Sequence, residues 1–176
     1  MFSIFKKEVK LSEKDYPPEG QLLAKRFSGP EVFKITKAHW NLYTDGERKN
    51  LTLLIECEEG IKLSKQIEYC SESCHWELNL VEDEIEDANL REGFEASIPE
   101  GYDESRDGWI TNFYFCEHDG TDQNRIRVED RKEDRILVTI TGQKTDLNYY
   151  DGSKPETKLY LKAWFTKDTS ATRSMN

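Results

Sequence analysis

The residues best suited to metal chemistry are three of the four cysteines, Cys70, Cys74 and Cys116, together with His118. Cys74 lies four positions after Cys70, and Cys116 lies two positions before His118. Zinc prefers four sulfur or nitrogen donors in a tetrahedron, and residues two apart share one face of a strand. These four side chains could therefore form a Cys₃His site. The Cys-x₃-Cys spacing departs from the usual Cys-x₂-Cys knuckle, and free cysteines are common in protein cores, so no metal and no other cofactor is predicted.

Motifs of nucleophilic and phosphate-handling enzymes are absent from the sequence. It contains no Gly-x-Ser-x-Gly, Gly-x-Gly-x-x-Gly, Walker loop or His-Glu-x-x-His. A histidine general acid or base would have to be His39, His75 or His118, the three in the chain. A carboxylate pair could hydrolyse glycosides, but choosing one pair among so many acids needs geometry. We therefore expect a protein that is not an enzyme, with a zinc-dependent enzyme or a zinc-stabilised domain as the alternative.

Acidic residues are concentrated in the middle of the chain. Residues 51–122 carry 4 Lys/Arg against 20 Asp/Glu, whereas the segments on either side are each slightly basic, and the whole chain has a formal charge of −10. Such a field attracts a basic protein and repels nucleic acid and anionic lipid. We therefore expect a basic protein partner, and neither nucleic acid nor a membrane. The predicted contact residues are Glu82, Asp83, Glu84, Glu86, Asp87, Tyr102, Asp103, Glu104, Asp107 and Trp109.

The most concrete form of this prediction is an inhibitor of the immunity or antitoxin type. A nuclease toxin has a basic active site because it must hold phosphate, and carboxylates can take the place of the substrate backbone. Tyr102 or Trp109 would then anchor the centre of the interface, since large aromatic residues dominate many binding surfaces. The competing interpretation is that the acidic loops only keep the protein soluble.

Aromatic residues near the end of the chain suggest a second candidate surface. Leu159, Leu161, Ala163 and Phe165 alternate along one predicted strand face, so the residues between them face the other way. Tyr and Trp rings in that position could stack on a sugar, or could be covered by a neighbouring loop. The alternative function is therefore a β-sandwich that binds carbohydrate or another small molecule. Its platform residues would be Tyr149, Tyr150, Tyr160 and Trp164.

Strands must position all of these residues. Trp76, Leu78 and Leu80 alternate with polar residues, and so do the apolar residues within 51–57. The segment 51–57 is expected to be the second strand of a hairpin whose loop is longer than two residues. Residues 94–98 predict a short strand, and Trp109 to His118 predict one long aromatic strand. Eight or nine such segments recur about every 10 residues, the spacing of an antiparallel sandwich or barrel. The fold class expected is all-β with a minor α component.

One helix is expected, near the N-terminus. Gln21 to Phe27 would form about two turns before Ser28, Gly29 and Pro30 end it. The predicted organisation is an N-terminal lead-in over residues 1–30, a single β domain over residues 31–168 and a flexible tail over residues 169–176.

The expected compartment is the cytoplasm. No segment approaches the roughly 20 apolar residues that a membrane span needs. The first residues place Lys6 and Lys7 after a short apolar patch, the reverse of a signal peptide. Cysteines in the cytoplasm are expected to be thiols rather than disulfides.

Overall fold

The computed structural model describes residues 16–45, 48–63, 72–82, 85–104 and 108–169, which are almost entirely extended. Helical structure in these ranges is limited to one 3-10 turn, Asp87–Asn89. No helix in the described part of the chain is long and apolar enough to cross a membrane. In chain order the strands are β1 (Gln21–Arg26), β2 (Gly29–Asp45), β3 (Arg48–Cys57), β4 (Ile61–Lys62), β5 (His75–Glu82), β6 (Glu95–Ile98), β7 (Tyr102–Asp103), β8 (Gly108–Trp109), β9 (Thr111–Phe115), β10 (Glu117–Asp119), β11 (Asp122–Lys132), β12 (Arg135–Lys144) and β13 (Thr157–Lys167).

Eleven of these strands form one large sheet. The hydrogen-bonded order is β10-β9-β5-β3-β2-β1-β13-β12-β11-β6, with β4 beside β2. The pairings are antiparallel apart from a short parallel contact between β2 and β13, and β7 and β8 form a separate hairpin. The all-β prediction is confirmed. The pairing of the described strands starts at β10 and ends at β6 without closing, so the barrel alternative is wrong.

The hydrophobic core lies on one face of the large sheet, where strands that are distant in the sheet order meet. Trp76 on β5 is completely buried, and its Nε1 donates a hydrogen bond to the Thr121 hydroxyl at 3.1 Å. The same ring passes so close to Gly142 on β12 that a Cβ on that glycine would lie 2.9 Å from it. The β5 and β12 parts of the sheet therefore cover the same core.

The predicted N-terminal helix is wrong, because residues 21–26 form a strand. Leu22, Ala24 and Arg26 are buried and alternate with half-buried residues, the period of a strand. β1 is hydrogen-bonded on both sides, to β2 and to β13. Leu, Ala, Lys and Arg favour helices, but that preference amounts to tenths of a kcal/mol per residue and is easily outweighed by two hydrogen-bonded neighbours.

The β2–β3 hairpin and the strands predicted at residues 75–81 and 94–98 are confirmed. The β2–β3 ladder continues as far as the pair Asp45–Arg48, so only two residues separate the strands, fewer than expected. Inward residues such as Leu53 on β3 and Leu78 on β5 are opposite each other and almost fully buried. Alternation along these strands therefore placed the core face correctly.

The single long strand predicted from Trp109 to His118 is wrong. The backbone at Cys116 has φ +61°, in the left-handed region, and the chain reverses there. β9 and β10 consequently pair antiparallel, with His118 opposite Tyr114. Cys116 and His118 therefore do not share one face of one strand, which removes the premise of the alternative zinc site.

Candidate functional site

A cleft on the outer face of the sheet is the candidate site. Its volume is about 250 Å³, and it opens between β5, β9 and the β7–β8 hairpin. Three of the predicted contact positions are close to it, since Asp103 and Trp109 line it and Tyr102 packs on Trp109. The lining residues are Tyr43, Glu77, Asn79, Asp103, Gly108, Trp109, Ile110 and Asn112.

Strand alternation turns one wall of the cleft toward solvent. Trp76 and Leu78 point into the core, so Glu77 and Asn79 point out from the same strand. The Asn79 side-chain amide donates to Glu77 Oε1 at 3.0 Å and to the Trp109 carbonyl oxygen at 3.3 Å. These two bonds hold the carboxylate of β5 beside the hairpin.

The β7–β8 hairpin forms the opposite wall. Tyr102 is paired with Trp109, and Asp103 with Gly108. Backbone hydrogen bonds join the hairpin end to β5, from Asn79 N to the Ile110 carbonyl oxygen at 2.8 Å. This anchoring places Asp103 and Trp109 of the hairpin in the same cleft lining as Glu77 and Asn79 of β5.

Trp109 is the large aromatic residue presented at this cleft. Its exposed fraction is 53%, whereas Trp40 and Trp76 are almost completely buried. The Tyr102 ring packs edge-on against it, with centroids 5.5 Å apart. An indole supported from one side and open on the other is the kind of side chain that anchors binding interfaces.

The described residues that line the cleft carry negative charge. Glu77 and Asp103 are the charged residues among them, and no Lys or Arg is among the described residues that line it. Within the described chain, Glu77 is hydrogen-bonded by Asn79 but forms no ion pair. The lining therefore favours a cation over an anion.

Glu86 and Asp87, the acidic residues of segment 82–87 whose side chains are described, do not line the cleft. Asp83 and Glu84, the side chain of Glu82, and Asp107 lie outside the described residues. Glu86 pairs with Lys49 at 3.0 Å on the surface. Glu104 is exposed just after β7, near the cleft but not among its lining residues.

Asp87 is held by the chain's own cations. Its two carboxylate oxygens accept hydrogen bonds from Arg131 and from Lys167. Partial burial alone would raise the pKa of Asp87, but the bonds from Lys167 and Arg131 outweigh it and lower that pKa. Asp87 therefore joins the turn before β6 to β11 and β13, and much of its charge is compensated.

The four aromatic residues predicted as a platform are not brought together on one exposed surface. Tyr160 is only 6% exposed and lies beneath Lys25. Lys132 and Arg135 lie over the Trp164 ring. Tyr149 packs edge-on against Phe27.

Tyr150, the fourth of these residues, points inward. Its hydroxyl donates a hydrogen bond to the Phe115 carbonyl oxygen. Burial, together with the nearby Cys116 and Glu117, raises the pKa of Tyr150 to about 12. This tyrosine therefore acts in the packing of the loop after β12.

The cysteines and histidines do not converge on a metal site among the described residues. No group of three or more His, Cys, Asp or Glu there is placed to hold an ion, and Cys70 lies outside the described ranges. Cys74 is buried whereas Cys116 is exposed. His75 and His118 instead pack on Tyr114, with centroids 5.0 and 4.8 Å away.

A buried ionic cluster was not foreseen from the sequence. Arg26 donates to both oxygens of Asp146, at 3.1 and 2.7 Å, and Glu31 lies 3.4 Å away. Lys144 has no exposed side-chain surface and pairs with Asp119 at 3.3 Å. Burial lowers the pKa of Lys144, although Asp119 partly opposes that change. Enclosure of these groups marks them as structural.

The cleft residues that sequence reasoning missed are polar positions on three strands. Glu77, Asn79 and Asn112 alternate with core residues, so their exposure follows from the sequence. Their proximity to Trp109 depends on which strand lies beside the hairpin, and no sequence signal carries that pairing. Tyr43 on β2 is a fourth such residue.

Comparison with known proteins supplies no relative. No protein-family model, no curated protein and no solved structure matches the chain. The functional argument therefore depends on the cleft.

Proposed function

We propose that the chain is a non-enzymatic binding domain whose cleft holds a cationic side chain of a basic protein partner. The observation that carries this proposal is the grouping of Glu77 and Asp103 beside the exposed Trp109, in a cleft whose described lining contains no Lys or Arg. An arginine or lysine entering there would gain charge pairing and contact with an aromatic face.

The overall charge supports the same proposal. A net charge of −10, most of it from residues 51–122, steers a basic partner toward the molecule. An inhibitor of the immunity or antitoxin type, acting on a basic nuclease toxin, fits this physical description. In that role the cleft supplies the anchor, and acidic residues around it, such as Glu104, supply long-range attraction.

A second candidate is carbohydrate binding at the same cleft. Asn79 and Asn112 add amide groups to the two carboxylates and the tryptophan, and this mixture of side chains also suits sugar hydroxyls and a sugar ring. In this alternative the two halves of the large sheet would act as the layers of a sandwich that carries the cleft. Its ligand would be neutral, so its affinity would depend little on salt.

The test compares matched charge-neutral variants. Glu77→Gln/Asp103→Asn removes two charges inside the cleft, and Glu59→Gln/Glu92→Gln removes two exposed charges elsewhere. The probe is a synthetic arginine-rich peptide, titrated by calorimetry and by tryptophan fluorescence. We expect the cleft variant to lose at least about tenfold in affinity, equal to about 1.4 kcal/mol, and the control variant to lose much less.

The same titration separates the alternatives. Equal losses in both variants would mean that the peptide binds only the general field, and would overturn the cleft as its site. A glycan panel titrated against the same proteins tests the second candidate. Salt-insensitive glycan binding that Trp109→Ala abolishes would favour carbohydrate over a basic partner.

A further inference from the structure

Cys57 and Cys74 face each other across the β3–β5 pair. The Cys57 N–H donates to the Cys74 carbonyl oxygen at 2.9 Å, one step beyond the last ladder pair, Glu56–His75. Directly opposite residues in such a hydrogen-bonded pair have Cα atoms about 5.5 Å apart. Disulfides span Cα separations of about 4.4–6.8 Å, so the Cα spacing expected for this pair lies within the range of a disulfide.

Both side chains point into the core. They continue the inward alternation of Ile55 and Trp76, and their exposed fractions are 6% for Cys57 and 3% for Cys74. Burial raises the pKa of the Cys74 thiol well above its ordinary value, and the neighbouring Cys57 thiol raises it further. Thiols in this state react slowly with an external oxidant, unlike the exposed Cys116.

We propose that Cys57 and Cys74 form a reversible disulfide that joins the end of β3 to the residue before β5. The oxidant is a small-molecule disulfide such as oxidised glutathione, which reaches the two cysteines while the chain folds, before the core encloses them. One cysteine thiolate attacks it, forming a mixed disulfide and releasing one glutathione, and the second cysteine then displaces the other glutathione. Two cysteine sulfurs are thereby oxidised, one glutathione disulfide is reduced, and the two cysteine protons end on two glutathione thiols.

The bond would stabilise the fold through the denatured state. It closes a loop over residues 58–73, and a loop of that length restricts the unfolded chain substantially while the paired strands change little. For a chain of this size we expect oxidation to raise Tm by roughly 5–10 °C. This inference is independent of the proposed binding function, because neither cysteine lines the cleft.

The test uses the full-length variant Cys70→Ala/Cys116→Ala, in which the only cysteines are the two in question. The protein is refolded from denaturant in a glutathione redox buffer, and remaining thiols are alkylated under denaturing conditions. Intact mass should show the loss of two hydrogen atoms, and a non-reduced digest should contain a peptide that joins Cys57 to Cys74. Reduction should restore both thiols and lower Tm by the expected amount. Two alkylated thiols, or glutathione adducts on both cysteines, would overturn the proposal.

The unmodified chain provides the second measurement. Peptide mapping after the same refolding should again join Cys57 to Cys74, and Cys116 should react before Cys57 and Cys74 when the folded, reduced protein is treated with a thiol reagent. A bond from Cys70 to either buried cysteine would contradict the assignment. Cys57→Ala in the two-cysteine background serves as the control, because it retains Cys74 but has no second cysteine in the same chain to receive a bond.

Discussion

At residue 142 the backbone of β12 passes within contact distance of two side chains from elsewhere in the core. A Cβ there would lie 2.6 Å from Asn124 Oδ1 and 2.9 Å from the Trp76 ring. Both neighbours are buried, and the Trp76 ring is fixed by its hydrogen bond to Thr121. A glycine at this position therefore allows the two parts of the sheet to approach each other.

Gly142→Ala should consequently destabilise the protein. We expect a loss of about 1–3 kcal/mol in the free energy of unfolding, because the added methyl group forces the core apart. Gly120→Ala is the matched control, since its nearest neighbour is the flexible Glu100 side chain at 3.9 Å. Urea denaturation of both variants measures the difference in their free energies of unfolding. Equal values would show that the core can accommodate the added methyl group at little cost.

Elements rather than single residues create the buried ionic cluster. β1 lies between β2 and β13 and carries Arg26 into the core. The loop after β12 brings Asp146 to the same place, and Thr157 at the start of β13 donates to its Oδ2 at 3.1 Å. A strand in the middle of the sheet is thus joined to a distant loop by an enclosed ion pair.

Asp146→Asn should destabilise the protein by about 3–5 kcal/mol at neutral pH, because it leaves the buried Arg26 with Glu31 as its remaining carboxylate partner. Burial alone would raise the pKa of Asp146, but the hydrogen bonds from Arg26 and from Asn148 N lower it below its ordinary value. A carboxyl whose folded pKa is lowered stabilises the fold above its unfolded pKa of about 3.9, and this contribution disappears as pH falls through the folded value.

Unfolding in urea at about pH 7 and at about pH 3 measures that linkage. The wild-type protein should lose more stability between the two conditions than Asp146→Asn does. The pKa of Asp87 is also lowered, so Asp87→Asn is measured in parallel to separate the two carboxylates. Identical pH dependence in wild type and Asp146→Asn would contradict the assigned role of Asp146.

At the scale of the molecule, the negative charge is only partly compensated within the fold. Asp87 and Glu86 are paired with cations from other strands. Glu56 on β3 and Glu58 just beyond its end are paired with Lys37 and Lys34 on β2. The cleft is different, because no Lys or Arg is among the described residues that line it. The fold thus separates Glu86 and Asp87, which form ion pairs within the chain, from the acidic residues that line the cleft.

This separation predicts how salt acts on association with the arginine-rich peptide. Raising NaCl from about 10 mM to about 150 mM shortens the screening length from about 30 Å to about 8 Å, so the association rate constant should fall steeply. Glu59→Gln/Glu92→Gln should lower the association rate alone, whereas Glu77→Gln/Asp103→Asn should also raise the dissociation rate. Stopped-flow fluorescence measures both rates, and a dissociation rate unchanged in the cleft variant would argue against direct contact.

Local patterns were enough to identify much of the sheet. Leu51, Leu53 and Ile55 alternate with polar neighbours, and so do Trp76 and Leu78, and all five point into the core. A strand has a side-chain period of two whatever it pairs with, so the buried face of a strand can be predicted from a short stretch of sequence. Trp109 and Asp103 were predicted as contact residues, and the structure leaves Trp109 53% exposed and Asp103 half-buried.

The features that could not be predicted from the sequence depend on contacts between residues far apart in the chain. Residues 21–26 have helix-favouring side chains, but they form a strand because β2 and β13 pair with them on both sides. Asp87 cannot be told from other loop carboxylates by sequence, because Arg131 and Lys167, which bind it, are distant in the chain. The cleft exists because the β7–β8 hairpin is held beside Glu77 and Asn79 on β5. Side-chain chemistry and strand period are local properties, whereas strand order, chain reversal and charge pairing arise only when the whole sheet has formed.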